Sequence, residues 1–410
     1  MTHFQIDTVS VKESPSAPLK LRPQGSIIRD HISNSILYLI LSANVLQYSF
    51  WGMQNPAYGI LRDIIIGLVV ILFLVTVRPL ETQQALIKVK LLRLWLYCVL
   101  LFGIGTLTAY AVGATLSFGT LRDVAISLGI LLIGYNKQID SRFFARFTML
   151  YIVLGVVSAF SYVVVFGFEI HDQYIVDYKN QVTPLFAILA LLAVSQSIYI
   201  KRGKLLMILS VLLLITIIGI LRARTALVAL LFCVMLYLFS SRKISNRVKV
   251  LVTCVVVTFI ASNLELISEI FIAGKQGADI DTISSGRVSR ISDGLDFLSR
   301  GNNLLVGSLW GEQYDGGIVH LFLMNLWIEY GGILSLPIIL LYVVFLGKVV
   351  ARCLKRKKRV ENRYDVMPFL MLFLLIVSFN EYSYPFSPIS SLFLAYLLFG
   401  AYLRQQQSLV

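Results

Sequence analysis

Long apolar segments follow one another along almost the whole chain, separated by short polar stretches. A helix needs about 20 apolar residues to cross a bilayer, because the hydrocarbon core is about 30 Å thick and a helix rises 1.5 Å per residue. These segments are continuous and rich in Leu, Ile and Val, without the alternation typical of a membrane β-barrel. The pattern predicts an all-α, polytopic integral membrane protein with about twelve transmembrane helices. The predicted spans are residues 32–51, 60–77, 92–112, 119–135, 147–168, 183–200, 204–221, 224–240, 248–264, 329–348, 366–380 and 388–403.

Two polar stretches fall outside these spans. Residues 1–30 are polar and contain Pro15, Pro18 and Pro23, which predicts a disordered tail. Residues 264–328 form one long hydrophilic loop between the ninth and tenth spans. We therefore expect residues 31–410 to form a single transmembrane domain that carries this loop.

Composition and charge placement agree with this organisation. The 410 residues are 57% hydrophobic and 14% charged, which excludes a soluble domain. Of the 36 Lys and Arg residues, 27 fall in the tail, the C-terminal end and the loops on one side of the predicted membrane. That side has a net charge of +20 and the opposite side −6. By the positive-inside rule both termini are cytoplasmic and the 264–328 loop is extracytoplasmic. The net charge of +14 is therefore mainly a topology signal, and we expect no nucleic-acid partner.

Two arginines separate the seventh and eighth predicted spans, on the outer side. The positive-inside rule does not explain Arg222 and Arg224 there. They could extend toward lipid head groups, or they could bind an anion with their paired N–H donors.

A second pair of arginines begins two other spans from the outer side. Arg62 precedes Asp63, and Arg122 precedes Asp123, in two similar segments. Each Arg-Asp pair could cap a membrane helix at the interface, or each arginine could face a substrate phosphate.

The long outer loop contains a predicted amphipathic helix. Ser284 and Ser285 are candidate N-caps, and Arg287 and Arg290 follow within the first turn or two. Its apolar positions are Val288, Ile291, Leu295 and Leu298. Such a helix would lie on the membrane surface and place both arginines at the depth of lipid phosphates. The alternative is that both arginines are simply solvated.

His320 begins the segment that leads into the tenth span. A histidine at a membrane boundary is usually structural, but it can also act as a general base near neutral pH. Glu329 lies nine residues later, on the opposite face of a continuous helix, so the two residues pair only if the helix breaks near Gly331. Asp279 and Asp281 imitate the metal-binding pair of nucleotide-sugar transferases, but we expect no metal and no cofactor.

These motifs together resemble the O-antigen polymerase and ligase superfamily (Wzy/WaaL-like). The resemblance rests on Arg222-Ala-Arg224-Thr at the start of a span, Ser285-Gly-Arg287 in the long loop, and His320 followed by Glu329 and two glycines. It covers residues 219–339 well and the N-terminal half only by topology. Ala223 and Leu321 stand where the family pattern has Ser and Asn, so Arg222 and Arg224 remain alternatives for the first arginine.

The resemblance implies a membrane-embedded glycosyltransferase of the GT-C class in a bacterial inner membrane, with residues 264–328 as a catalytic periplasmic loop. It would polymerise oligosaccharide repeat units linked to undecaprenyl diphosphate, for O-antigen or another surface polysaccharide. His320 would be the general base, with Arg287 also catalytic. The substrate diphosphate would be bound by Arg222, Arg224, Arg290, Arg62 and Arg122. Membrane lipid and a chain-length regulator protein of the Wzz type are the other implied partners.

Two other functions remain open. A ligase that transfers finished polysaccharide to lipid A core would use the same arginine and histidine chemistry. A polysaccharide transporter or flippase could also have about twelve spans and cationic residues in a cavity, but its two halves would predict a long loop after the sixth span. The loop there is only residues 201–204.

Overall fold

A computed structural model describes residues 24–54, 56–114, 118–137, 139–168, 179–200, 203–262, 286–309, 313–354, 363–379, 381, 385–387 and 389–408. Helices account for 85% of these residues, and none of them lies in a β-strand. The all-α prediction is therefore confirmed for this part of the chain.

The helices follow the order of the apolar segments. In chain order they are α1 (Gln24–Gln47), α2 (Ala57–Thr76), α3 (Pro79–Lys88), α4 (Lys90–Ala111), α5 (Gly119–Asn136), α6 (Ser141–Phe166), α7 (Lys179–Tyr199), α8 (Lys204–Ile220), α9 (Arg224–Ser240), α10 (Asn246–Ser262), α11 (Arg287–Ser299), α12 (Asn303–Val306), α13 (Phe322–Leu354), α14 (Met367–Ser378) and α15 (Ile389–Ser408). Two short 3₁₀ segments, Gly307–Leu309 and Arg363–Val366, precede α13 and α14 respectively.

Each of the twelve predicted spans coincides with a helix. Five of these helices, α2, α4, α6, α7 and α13, are long and apolar enough to cross a membrane. The chain is therefore a membrane-embedded protein. α1 begins at Gln24, so the last residues of the predicted disordered tail are helical. Helix α3 was not predicted and lies within a loop assigned to the cytoplasm.

Helix α7 is the centre of the bundle. Every side chain from Val182 to Gln196 is buried, on all faces of the helix. A helix that is apolar all round belongs in the interior of a bundle, because no face of it gains from contact with solvent or lipid head groups.

Small residues allow α5 and α15 to pack closely. A Cβ on Gly134 would lie 1.9 Å from the carbonyl oxygen of Leu397, and one on Gly400 would lie 2.2 Å from that of Leu131. Small residues at helix interfaces are characteristic of membrane proteins, where van der Waals contact and hydrogen bonds replace the hydrophobic effect.

Buried hydrogen bonds also connect the helices. The Asn44 side chain of α1 donates to the carbonyl oxygen of Ser390 in α15 at 2.5 Å and accepts from the Tyr151 hydroxyl of α6. The hydroxyls of Tyr48 and Ser390 lie 2.7 Å apart. These bonds fix the relative positions of three helices that are distant in sequence.

The long helix α13 breaks at a glycine. Gly331 has φ 68° and ψ 168°, a conformation that is costly for residues with a side chain. The segment around Gly307 packs into this break, where a Cβ on Gly331 would lie 2.3 Å from the carbonyl carbon of Val306. The break therefore directs the first part of α13, which carries the segment after His320, away from the axis of its second part.

Candidate functional site

Three segments that are far apart in sequence converge on one buried carboxylate. Glu381 lies in the connection between α14 and α15, and only 7% of its side chain is exposed. One carboxylate oxygen of Glu381 is 3.7 Å from Arg287 Nη2, at the start of α11. The other is 3.9 Å from His320 Nδ1, just before α13. Both distances correspond to ion-pair contacts and are longer than a direct hydrogen bond.

Aromatic packing holds the Glu381 segment against the start of α13. The ring of Phe386 lies 5.6 Å from that of Phe322, the first residue of α13, and 5.7 Å from that of Trp95 in α4. The Tyr396 hydroxyl of α15 donates to the carbonyl oxygen of Pro385 at 2.8 Å. Because Phe322 and Phe386 follow His320 and Glu381 in sequence, this contact helps to bring the His320 and Glu381 side chains together.

A separate small core fixes helix α11, and with it Arg287. Phe297 and Leu298 of α11 pack with Val319, Met324 and Ile328. Gly294 permits the approach, since a Cβ there would lie 2.6 Å from the Met324 Cε. The Asn303 side chain donates to the carbonyl oxygen of Phe297 at 3.0 Å and closes the end of the helix.

Further cations surround this group. Lys179, at the start of α7, interacts electrostatically with Arg224, Arg287, Glu381 and Arg222. The neighbours of Lys179 are thus three arginines and one carboxylate, so positive charge predominates among them. Such a cluster suits a multiply charged anion, because charge-assisted hydrogen bonds to phosphate are among the strongest in proteins. We call Lys179, Arg222, Arg224, Arg287, His320 and Glu381 the cationic site.

An unusual turn presents the two arginines between α8 and α9. Arg222 has φ 50° and is the only non-glycine residue with positive φ in the described part of the chain. Its backbone N–H donates to the Gly219 carbonyl at 2.8 Å, and its own carbonyl accepts from the Arg224 N–H at 3.0 Å. Strained backbone of this kind is enriched at functional sites. Arg222 and Arg224 therefore remain together as candidate anion ligands.

The structure modifies the predicted amphipathic helix. Its N-cap is Gly286, with φ 75°, and no side chain caps it; Ser284 and Ser285 lie outside the described residues. Val288 and Leu295 are exposed, whereas Gly294, Phe297 and Leu298 are buried against the protein. Of the predicted apolar positions, Ile291 and Leu298 therefore face the protein, whereas Val288 and Leu295 face away from it. Arg287 lies on the side that faces the protein, where its guanidinium group approaches Glu381 at 3.7 Å.

The remaining predicted ligands have other neighbours. Arg290 approaches the carbonyl oxygen of Ile318 at 3.5 Å, and the Tyr314 hydroxyl donates to the Arg290 carbonyl at 3.4 Å. Burial raises the pKa of Tyr314, with a smaller contribution from Asp293, and Arg290 opposes the shift.

In each of the two Arg-Asp segments the arginine forms an ion pair with the neighbouring aspartate, and neither aspartate caps its helix. Arg62 Nε is 3.0 Å from Asp63 Oδ1, and Arg122 Nε is 2.9 Å from Asp123 Oδ1. Each arginine is thus engaged with the carboxylate next to it in sequence. This pairing favours a structural role for Arg62 and Arg122.

Glu329 is not the carboxylate beside His320. Residues 322–330 are continuously helical, and the break at Gly331 comes after Glu329, so it does not bring the two side chains together. Glu381 and Lys179 were absent from the predicted site. The sequence feature that identified the arginines also applies to Glu381 and Lys179, since each is an ionisable residue between two apolar segments on the predicted outer side.

No protein-family model matches this chain, and no curated protein sequence shows significant similarity to it. Within the described residues, no group of three or more His, Cys, Asp or Glu side chains is placed to hold a metal ion. Asp279 and Asp281 lie outside those residues.

Proposed function

We propose that the protein is a membrane-embedded glycosyltransferase that polymerises lipid-diphosphate-linked oligosaccharide repeat units. The observation that supports this proposal is the convergence of Arg287, His320 and Glu381, with Lys179 and two further arginines nearby. The arrangement offers cations for a diphosphate and a candidate base for a sugar hydroxyl in one place.

The proposed reaction transfers the growing chain from one lipid diphosphate to a new repeat unit. The acceptor hydroxyl oxygen forms a bond to the anomeric carbon of the donor sugar, and the bond from that carbon to the diphosphate oxygen breaks. The acceptor proton goes to the His320 imidazole, and the bonding pair leaves with the lipid diphosphate. Arg287, Arg222, Arg224 and Lys179 stabilise the charge that develops on the leaving diphosphate.

Glu381 has a positioning role in this scheme. As the imidazole gains a proton, the carboxylate 3.9 Å away stabilises the resulting positive charge. The same carboxylate lies 3.7 Å from Arg287 and orients its guanidinium group. One buried acid thereby links the base to the cation that faces the leaving group.

The topology belongs to the same proposal. All twelve predicted spans would cross the membrane with both termini in the cytoplasm, in a GT-C-like arrangement. The cationic site would then face the periplasm of a bacterial inner membrane. Undecaprenyl-diphosphate-linked sugars are available on that face, where nucleotide sugars are not expected.

The test is a reconstitution of the reaction. Purified full-length protein in detergent is incubated with undecaprenyl-diphosphate-linked repeat units, without added metal or nucleotide, and the products are separated on a gel. We expect a ladder spaced by one repeat unit, and a far slower formation of that ladder with His320→Ala. Conjugation only when lipid A core is added would establish the ligase instead. Folded protein that gives neither product would refute glycosyl transfer and favour a transporter.

A further inference from the structure

A second cationic region lies toward the opposite end of the bundle from the cationic site. A cavity of about 690 Å³ opens there between α3, α4, α13, α14 and α15. Helix α13 begins beside His320, and this cavity is lined by residues near its other end, including Lys348 and Arg352.

Four positively charged residues line this cavity. Lys88 ends α3, Lys90 begins α4, and Lys348 and Arg352 belong to the last turns of α13. Lys90 and Lys348 are near enough to repel each other electrostatically. No acidic residue is among the described residues that line the cavity. An anion between the two lysines would relieve this repulsion.

Arg352 has a different role from the lysines. Its guanidinium Nη2 is 3.9 Å from Asp365, and its Nε donates to the Tyr402 hydroxyl at 2.5 Å. Tyr402 in turn stacks on Phe399, with ring centroids 5.8 Å apart. Arg352 is thus fixed as part of the wall, and the lysines are the groups available to a ligand.

Apart from Tyr402 and Gln406, the remaining walls are apolar. Val89, Leu91, Val349, Phe399 and Leu403 line the cavity together with the lysines. On α13 itself, Leu340, Val343 and Leu354 are largely exposed and would contact lipid in a membrane-embedded protein. A ligand matched to this surface has an anionic head and long apolar chains.

We infer that this cavity binds the head group of an anionic phospholipid, with Lys90 and Lys348 as the phosphate ligands and Lys88 at the rim. The acyl chains would extend along the apolar walls toward the surrounding bilayer. The site is independent of the proposed glycosyl transfer and would act as a lipid anchor of the bundle at the level of one membrane leaflet.

The test compares two charge-matched variants. Native mass spectrometry of the full-length protein in detergent measures binding of dioleoyl phosphatidylglycerol, with dioleoyl phosphatidylcholine as the neutral comparison. Lys90→Gln/Lys348→Gln removes two charges from the cavity. Arg142→Gln/Arg146→Gln removes two charges from exposed positions at the start of α6, which do not line the cavity. We expect about 25-fold weaker phosphatidylglycerol binding in the first variant, from about 5-fold per lysine.

Several results would overturn the inference. They are equal weakening in the Arg142→Gln/Arg146→Gln control, unchanged affinity in the lysine variant, or equally tight binding of phosphatidylcholine. Displacement of the phospholipid by inorganic phosphate would identify a small-anion site instead. If the double variant does not fold, Lys90→Gln and Lys348→Gln are tested singly, each with an expected loss of about 5-fold.

Discussion

Replacing Glu381 by Gln tests the proposed chemistry most directly, because glutamine keeps the shape of the side chain and removes its charge. At a separation of 3.9 Å from His320, and with an effective dielectric constant of about 20, a full charge pair interacts by about 4 kcal/mol. Arg287 lies 3.7 Å from the same carboxylate and partly neutralises it. We therefore assign about half of that energy, about 2 kcal/mol, to the protonated imidazole in the transition state. This loss corresponds to about a 30-fold decrease in kcat.

The assay measures initial rates of chain extension with purified protein over a range of lipid-linked repeat concentrations, so that kcat and KM are obtained separately. Glu329→Gln is the matched control. It removes a carboxylate from the first part of α13 that the structure places away from His320. We expect kcat to be nearly unchanged in this control and about 30-fold lower in Glu381→Gln. A thermal unfolding curve for each variant establishes that the protein remains folded.

The reasoning would be refuted by a folded Glu381→Gln variant with wild-type kcat, in a preparation where His320→Ala is inactive. In that case the carboxylate would serve only to hold Arg287. A Glu381→Asp variant tests whether the position of the carboxylate matters as well as its charge. Aspartate keeps the negative charge, but its side chain is one methylene group shorter. The kcat of this variant should therefore lie between those of the wild type and Glu381→Gln.

Three other predictions follow from the same structure. Arg287→Ala and His320→Ala should each lower turnover by about 10²–10³-fold, measured as the rate of ladder formation. Arg287→Lys should also lower this rate, because an ammonium group does not reproduce the paired N–H donors of the guanidinium group. Gly331→Ala should destabilise the protein by at least about 2 kcal/mol, because the new Cβ meets backbone atoms at a residue with positive φ. Gly347→Ala in the same helix meets nothing within 4 Å, so in thermal unfolding it should be neutral or slightly stabilising. Burial lowers the pKa of Lys137 from 10.5 to about 8. Between pH 8 and pH 10.5 the unfolded chain therefore binds more protons than the folded protein, so the free energy of unfolding should rise with pH across this range. Denaturation curves measured at several pH values should show a smaller rise for Lys137→Met.

The helices could be predicted because their positions depend on local apolar composition. Each predicted span coincides with a helix because about 20 consecutive apolar residues have few alternatives to a helix in a bilayer. Helix α3 was missed for the same reason, since Pro79–Lys88 is short and polar and has no such signal. The break at Gly331 could be suspected from the two adjacent glycines, but the packing of the Gly307 segment into it could not.

The composition of the site could be predicted only in part. Arg287 and His320 are polar residues in an outer loop, and the sequence alone identifies them as candidates. Their common partner Glu381 is separated from them in sequence by α13 and α14. It too is an ionisable residue between two apolar segments, but nothing in the sequence indicates which residues it contacts. The residues that bring it into place are Phe322 and Phe386, whose contact is tertiary and leaves no periodic pattern in the sequence.

The Glu381 carboxylate also bears on the choice between an enzyme and a transporter. A site that only binds and releases a diphosphate gains from every cation, whereas a buried carboxylate among the cations repels the ligand. A glycosyl transfer has a use for that carboxylate, because the base must hold a positive charge while the bond to the diphosphate breaks. The two functions therefore predict opposite effects of Glu381→Gln on turnover. In a transporter, the variant should bind lipid diphosphate more tightly and move it at least as well at low concentration. In the enzyme we propose, the same variant should also bind the donor at least as tightly, but its kcat should fall.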